Sequence, residues 1–86
     1  MSTAAMFIKT KHAAFVIALR QIQDEWVEST LNAPVWVSDD PGDPELQHFL
    51  APIEDFDSRV LRVIAKRDTI PTLVITAFFD RTMKGK

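Results

Sequence analysis

Two short apolar runs, Val60–Ala65 and Leu73–Phe79, stand out in the alternation of hydrophobic and polar positions. A polar link containing Asp68, Thr69 and Pro71 joins them. Both runs are rich in Val, Ile, Leu, Thr and Phe and too short for typical helices, so the stretch Arg59–Arg81 predicts a β-hairpin at the centre of a sheet. In its first strand Leu61, Val63 and Ala65 point one way and Val60, Arg62, Ile64 and Lys66 the other. In the second, strict alternation sets Leu73, Ile75, Ala77 and Phe79 against Val74, Thr76, Phe78 and Asp80. Apolar groups on both faces predict a central strand with helices over one side.

Upstream, Met1–Ala5 predicts a frayed start and Met6–Lys11 a short strand, with Thr10 placed to cap a helix that begins near Lys11 or His12. His12–Arg20 is almost uniformly apolar, and Ala13, Ala14, Ala18 and the terminal Arg20 favour helix over buried strand. A helix apolar all round needs cover on most sides, from its own sheet or from a partner chain. Asp24 offers a second N-cap, and Trp26, Val27, Thr30 and Leu31 form one inward stripe before Asn32-Ala-Pro34 stops the helix. Trp26 and Trp36 both read as core aromatics rather than base-stacking platforms.

Val35–Val37 is a short β-type run, and Ser38–Pro44, with its prolines, glycine and aspartates, is a turn. In Leu46–Ile53 a strand resumes, with Gln47, Phe49, Ala51 and Ile53 on one face and His48, Leu50 and Pro52 on the other. Pro52 marks an edge or a strand end. The predicted fold is a single α+β domain over residues 1–86, flexible at 1–5 and 82–86. A short N-terminal strand and a helical hairpin precede an antiparallel sheet of three to four strands.

At 86 residues the core is thin; a domain of this size buries roughly 60–65% of its unfolded surface. The absence of cysteine excludes disulfide scaffolds, cysteine zinc sites and thiol catalysis. The most apolar run, Ala13–Leu19, has seven residues, against roughly 20 for a bilayer span. Lys9 and Lys11 imitate a signal-peptide start, but Arg20-Gln-Ile-Gln-Asp24 stands where a cleavage site would be needed. A cytoplasmic location and no membrane partner are expected.

The net charge of −2 conceals an asymmetry: Ser38–Asp57 holds seven acidic residues and no Lys or Arg, while Arg59–Lys86 holds seven basic and two acidic. That excludes a uniformly basic nucleic-acid binder, and no DNA-binding motif is present, but one basic surface remains open. Equally, opposite charges on neighbouring strands and loops offset one another.

Several segments together carry a family resemblance: Thr10-Lys-His-Ala13 opening a helix, Arg20-Gln-Ile22, Glu25-Trp-Val27, Asn32-Ala-Pro34, Arg59-Val-Leu-Arg-Val63 and Val74-Ile-Thr-Ala-Phe-Phe-Asp-Arg81 followed by Met83-Lys-Gly85. Over residues 6–85 the chain resembles a group of small bacterial domains of unknown function, with a T-x-H-A helix start, an R-G-I helix break and a final strand of the V-T-A-Y/F-F-D-R type. That group is similar in turn to the compact RelE/BrnT-like toxin fold. The resemblance implies a toxin-like domain that cleaves RNA without metal, with RNA or the ribosome as target and an antitoxin as protein partner. Gln21 departs from the pattern, standing where the break has glycine, which predicts a less sharp junction between the helices. Ala14, Phe15, Val16 and Ile17 replace charged positions, which favours a buried or intersubunit helix and hence a homodimer.

Metal-independent RNA cleavage needs a base for the 2′-hydroxyl, an acid for the leaving oxygen and cations on the phosphate. Without tyrosine, the candidates for chemistry are His12, Arg62, Lys66 and Asp80. A helix N-terminus disfavours positive charge, leaving His12 able to accept a proton. Arg59, Thr76, Arg81 and Lys84 are candidate RNA or phosphate contacts, and Arg62, Lys66, Thr76 and Asp80 are expected to project together from the sheet face opposite the helices. His48, on a mostly polar strand, reads as exposed, and no spacing signature supports a His12–His48 metal pair or any cofactor. The competing reading is a non-catalytic, self-associating interaction module with the same fold, in which these groups serve only charge balance.

Overall fold

The computed structural model describes residues 7–84; the expectations for Met1–Ala5, Met6 and residues 85–86 lie outside them. The elements run β1 (Phe7–Lys9), α1 (Lys11–Leu19), α2 (Asp24–Asn32), β2 (Trp36–Asp39), β3 (Leu46–Ile53), a 3₁₀ turn at Glu54–Phe56, β4 (Arg59–Lys66) and β5 (Thr72–Lys84). This is the predicted β-α-α-β-β-β-β order, with the hairpin Arg59–Arg81 at its centre.

Two corrections concern the sheet. It has five strands in the order β1-β5-β4-β3-β2, and it is mixed, because β1 pairs with β5 in parallel while every other pair is antiparallel. Thr82, Met83 and Lys84 continue β5 instead of forming a flexible tail, and Lys84 pairs with Arg59.

Both helices cover one face of the sheet. Ala13, Ile17, Ile22 and Val27 pack there with Ile53, Leu61, Val63, Val74 and Ala77, flanked by Phe7, Trp26, Leu31, Phe49 and Phe79. The alternation read for β3 and β4 holds, with Leu61 and Val63 fully buried. In β5 it is interrupted twice. Arg59 faces Lys84 but Leu61 faces Phe79, so the four residues 80–83 stand against Val60 alone; the second interruption lies nearer the start of the strand. Ile64 faces Thr76 but Ala65 faces Val74, so Ile75 is an extra residue in a bulge. The bulge advances the pleat by one position, and Val74 replaces the predicted Leu73 and Ile75 in the core.

α1 begins as its sequence requires. The Thr10 side chain accepts the Ala13 N–H at 3.0 Å, while the Thr10 N–H donates to the Val74 carbonyl at 3.1 Å, tying the cap to the bulge. Thr10→Ala is expected to lower stability by about 1 kcal/mol, measured as a reduced urea midpoint at unchanged slope. The sheet covers only one side of α1: Phe15 and Leu19 stay exposed among the described residues, so the domain's own sheet does not supply the cover expected on most sides. Arg20 reaches past the end of β1 and donates to the Ala77 carbonyl at 2.9 Å.

The junction to α2 is sharp despite Gln21, which adopts the left-handed region at φ 57°. A side chain there costs about 1 kcal/mol relative to glycine, so Gln21→Gly is expected to stabilise the domain by up to about 1 kcal/mol in the same assay. Gln23, not Asp24, occupies the α2 N-cap; Asp24 instead pairs with Lys9 at 3.0 Å, joining the helix to β1. The predicted stripe is observed, with Val27 and Thr30 buried and Trp26 tilted against the Phe56 ring and edge-on to Phe79. Trp36 departs from the expectation: it lies on the edge strand β2, partly exposed. Pro52 sits near the end of β3, beyond the last residue paired with β2, where no ladder bond is lost.

Candidate functional site

On the sheet face opposite the helices, cross-strand neighbours bring together Ser38, His48 and Ile64 in one row, Trp36, Leu50, Arg62 and Phe78 in the next, and Thr76 against Ile64. His48 is the residue whose expected exposure is overturned: it is only 8% exposed. Alternation within β3 set it with Leu50 and Pro52, and the register with β4 turns that side toward Arg62; its burial depends on how the acidic loop folds back. Asp40 accepts the Gly42 and Asp43 N–H groups on Oδ2, both at 2.9 Å, and this turn presents its Oδ1 to His48 Nε2 at 2.6 Å.

The other ring nitrogen, Nδ1, lies 2.6 Å from Arg62 Nη1. A guanidinium only donates, so Nδ1 accepts and Nε2 carries the proton that Asp40 receives. Arg62 turns its other side to Asp80, donating from Nε at 2.9 Å and Nη2 at 2.6 Å, both to Oδ2. Asp80 Oδ1 accepts the Thr82 hydroxyl at 2.6 Å and the Thr82 N–H at 2.9 Å. The result is one continuous chain, Asp40–His48–Arg62–Asp80–Thr82, drawn from the acidic loop and from β3, β4 and β5.

The electrostatics follow from these bonds. The Thr82 hydroxyl and then the Arg62 guanidinium hold the Asp80 carboxyl down at about 2, from an ordinary 3.8. Asp40 is likewise lowered, first by its bond to His48 and then by the Gly42 N–H. Both carboxylates are thus acceptors fixed in the ionised form at neutral pH.

The remaining predicted residues are placed as follows. Lys66 lies on the same face, two residues along β4 from Ile64, and makes an exposed pair with Glu45 at 3.3 Å. Thr76 is half-buried there. So Arg62, Lys66, Thr76 and Asp80 do share the face, but Arg62, Lys66 and Asp80 are engaged in intrachain pairs. His12 is exposed on α1, across the sheet from them. Arg59 belongs to the helix side, its guanidinium 5.1 Å from the centre of the Phe56 ring. Arg81 is exposed, and Lys84 closes β5. Arg67 binds Asp39 at 2.5 Å, so with Lys66–Glu45 the basic hairpin and the acidic loop do offset one another. Among the described residues no cluster of three or more His, Asp or Glu side chains could hold a metal ion, and no helix is long and apolar enough to cross a membrane.

A family model described as a domain of unknown function, DUF4258, matches residues 9–79. The chain belongs to this family. The matched span takes in both helices and the Asp40, His48 and Arg62 members of the polar chain; Asp80 and Thr82 follow directly after it in β5. No curated protein and no solved structure matches the chain.

Proposed function

We propose that this DUF4258 domain is a toxin-like, metal-independent endoribonuclease of the toxin–antitoxin kind, acting through the sheet face opposite its helices. One observation carries the reading: an imidazole held in a single tautomer by a carboxylate lies in direct contact with a guanidinium in the middle of that face. Asp40 plays the orienting part that a buried aspartate plays beside a catalytic histidine. In the proposed step an RNA phosphate takes the Arg62 donor from His48, freeing the Nδ1 lone pair. His48 then removes the 2′-hydroxyl proton, the 2′-oxygen bonds to phosphorus, and the 5′-oxygen leaves with a proton from Lys66. The products are a 2′,3′-cyclic phosphate and a 5′-hydroxyl, and Asp40 stabilises the imidazolium formed. His48 replaces His12 as the base in this scheme.

The resemblance to RelE/BrnT-like toxins supports the same reading and supplies its expected partner, an antitoxin. Purified protein incubated with single-stranded RNA in EDTA should yield cyclic-phosphate ends, and induction should arrest growth. RNA left intact, together with harmless expression, would end the proposal.

The intrachain pairing of Arg62, Lys66 and Asp80 favours a second reading, a non-catalytic interaction module. Under it Arg62→Ala and Lys66→Ala alter association with a protein partner, and no RNA is turned over.

A further inference from the structure

β2 is an edge strand, and all four of its residues are exposed. Its apolar side chains, Trp36 at 40% and Val37 at 50% exposure, continue from Val35 at 59% just before it. Natural sheets blunt such edges with lysine, proline, bulges or covering segments, because unpaired backbone groups template a further strand. No lysine or proline stands between Trp36 and Asp39.

The direction of the backbone groups identifies what fits this edge. Asp40 N–H bonds the Leu46 carbonyl, and the antiparallel register runs from this pair through Ser38↔His48 to Trp36↔Leu50. In an antiparallel ladder bonded pairs alternate, so the even-numbered residues of β2 spend their N–H and C=O groups on β3 while Val37 and Asp39 direct theirs outward. Val35 is excluded from the outward set, since its N–H turns inward to the Leu50 carbonyl at 2.8 Å. The free edge is thus a two-residue pattern, Val37 and Asp39, centred on Ser38.

We infer that this edge pairs with β2 of a second copy of the chain, antiparallel and twofold about Ser38. In that register Val37 opposes Asp39 of the other copy and Asp39 opposes its Val37, so the outward N–H and C=O groups of both strands pair in four hydrogen bonds. A twofold centred on Val37 would instead require the Val35 N–H, which is already engaged. The Ser38 register also keeps like charges from facing each other: Asp39 meets a valine and Asp40 meets Trp36. The two sheets would merge into one of ten strands. The apolar area is small for a stable dimer, which places the affinity in the range of weak, transient complexes. Because each acidic loop (Asp39, Asp40, Asp43) approaches its copy, added salt should tighten the association.

The inference is independent of the catalytic reading, since it rests on the edge and not on the His48–Arg62 face. Sedimentation equilibrium of the full chain from about 1 μM to 1 mM should show a monomer–dimer equilibrium. Val37→Pro removes an outward N–H without breaking a bond to β3 and should weaken dimerisation at least tenfold; Val37→Lys, which leaves the backbone intact, should do the same. Because the chain has no cysteine, Ser38→Cys adds a lone thiol. In the proposed register the two thiols face each other at a non-bonded pair, about 4.5 Å between Cα atoms, and should oxidise to a disulfide dimer. A Ser29→Cys control on α2 should not. A strictly monomeric chain at 1 mM overturns the inference. So does a dimer that neither Val37 variant weakens, which would point to the exposed Phe15 and Leu19 of α1, or Ser38→Cys that cross-links no faster than the control.

Discussion

Replacing His48 by glutamine is expected to slow RNA cleavage by about 10²–10⁴-fold, the usual contribution of a positioned general base, while leaving the fold in place. The substitution separates chemistry from structure. Histidine here accepts from Arg62 on one ring nitrogen and donates to Asp40 from the other. A glutamine amide offers one acceptor and one donor at a similar spacing, so it can keep both bonds yet cannot carry the proton. The melting temperature should fall by only a few degrees while the cleavage rate drops. Asn would be too short to reach both partners, and Ala would leave Asp40 Oδ1 and Arg62 Nη1 without their bonds to this side chain, so neither tests the base as cleanly. Unchanged cleavage by a folded His48→Gln protein would remove His48 from the chemistry and leave Arg62 and Lys66 as phosphate contacts only.

How much of this was legible in the sequence depends on which interactions are local. The cap at Thr10, the stripe on α2, the limits of β3 and the two faces of β4 follow from short-range pattern, and the structure repeats them. Alternation also led to the expectation that Arg62, Lys66, Thr76 and Asp80 project from one side, but it did not bring His48 to that side. What it lacked was the third dimension of the loop. Nothing in the residues beside His48 signals its burial; the Asp40 turn, with its two bonds from Gly42 and Asp43, and Arg62 from β4 meet it from distant parts of the chain. The bulge at Ile75 was equally silent, because inserting one residue into an apolar strand leaves its composition unchanged while inverting every face before it. The direction of β1 is set by how the helices return the chain to the far edge of the sheet, which no residue in Phe7–Lys9 encodes. His12 drew attention as a histidine at a helix start, but α1 packs on the opposite side of the sheet from the polar chain.

Arg62→Met should lower stability at pH 7 by about 2–3 kcal/mol, because two buried or nearly buried acceptors lose their donor together. The methionine stem replaces much of the packing of the arginine stem but returns nothing to Asp80 Oδ2 or to His48 Nδ1, which now hold 2.6–2.9 Å bonds from the guanidinium. The same variant should change the acid response. Asp80 is depressed to about 2 in the folded chain from an ordinary 3.8. A depressed carboxyl adds stability that is complete above its unfolded value and is lost as pH falls through its folded one, so this contribution disappears between about pH 4 and pH 2. Screening at the sheet surface holds it to about 1 kcal/mol. Arg62→Met keeps the Thr82 hydroxyl and N–H on Asp80, so it should shrink this acid-labile contribution without abolishing it, and Arg62→Met with Asp80→Asn should recover part of the pH 7 loss. Urea unfolding at pH 7, 4 and 2.5 measures all three effects. An Arg62→Met protein within about 0.5 kcal/mol of the parent at pH 7, the range of an ordinary surface substitution, would show that the polar chain is dispensable for folding. Its five members would then be free to rearrange around a phosphate at little cost, which would strengthen the case that they are kept for function.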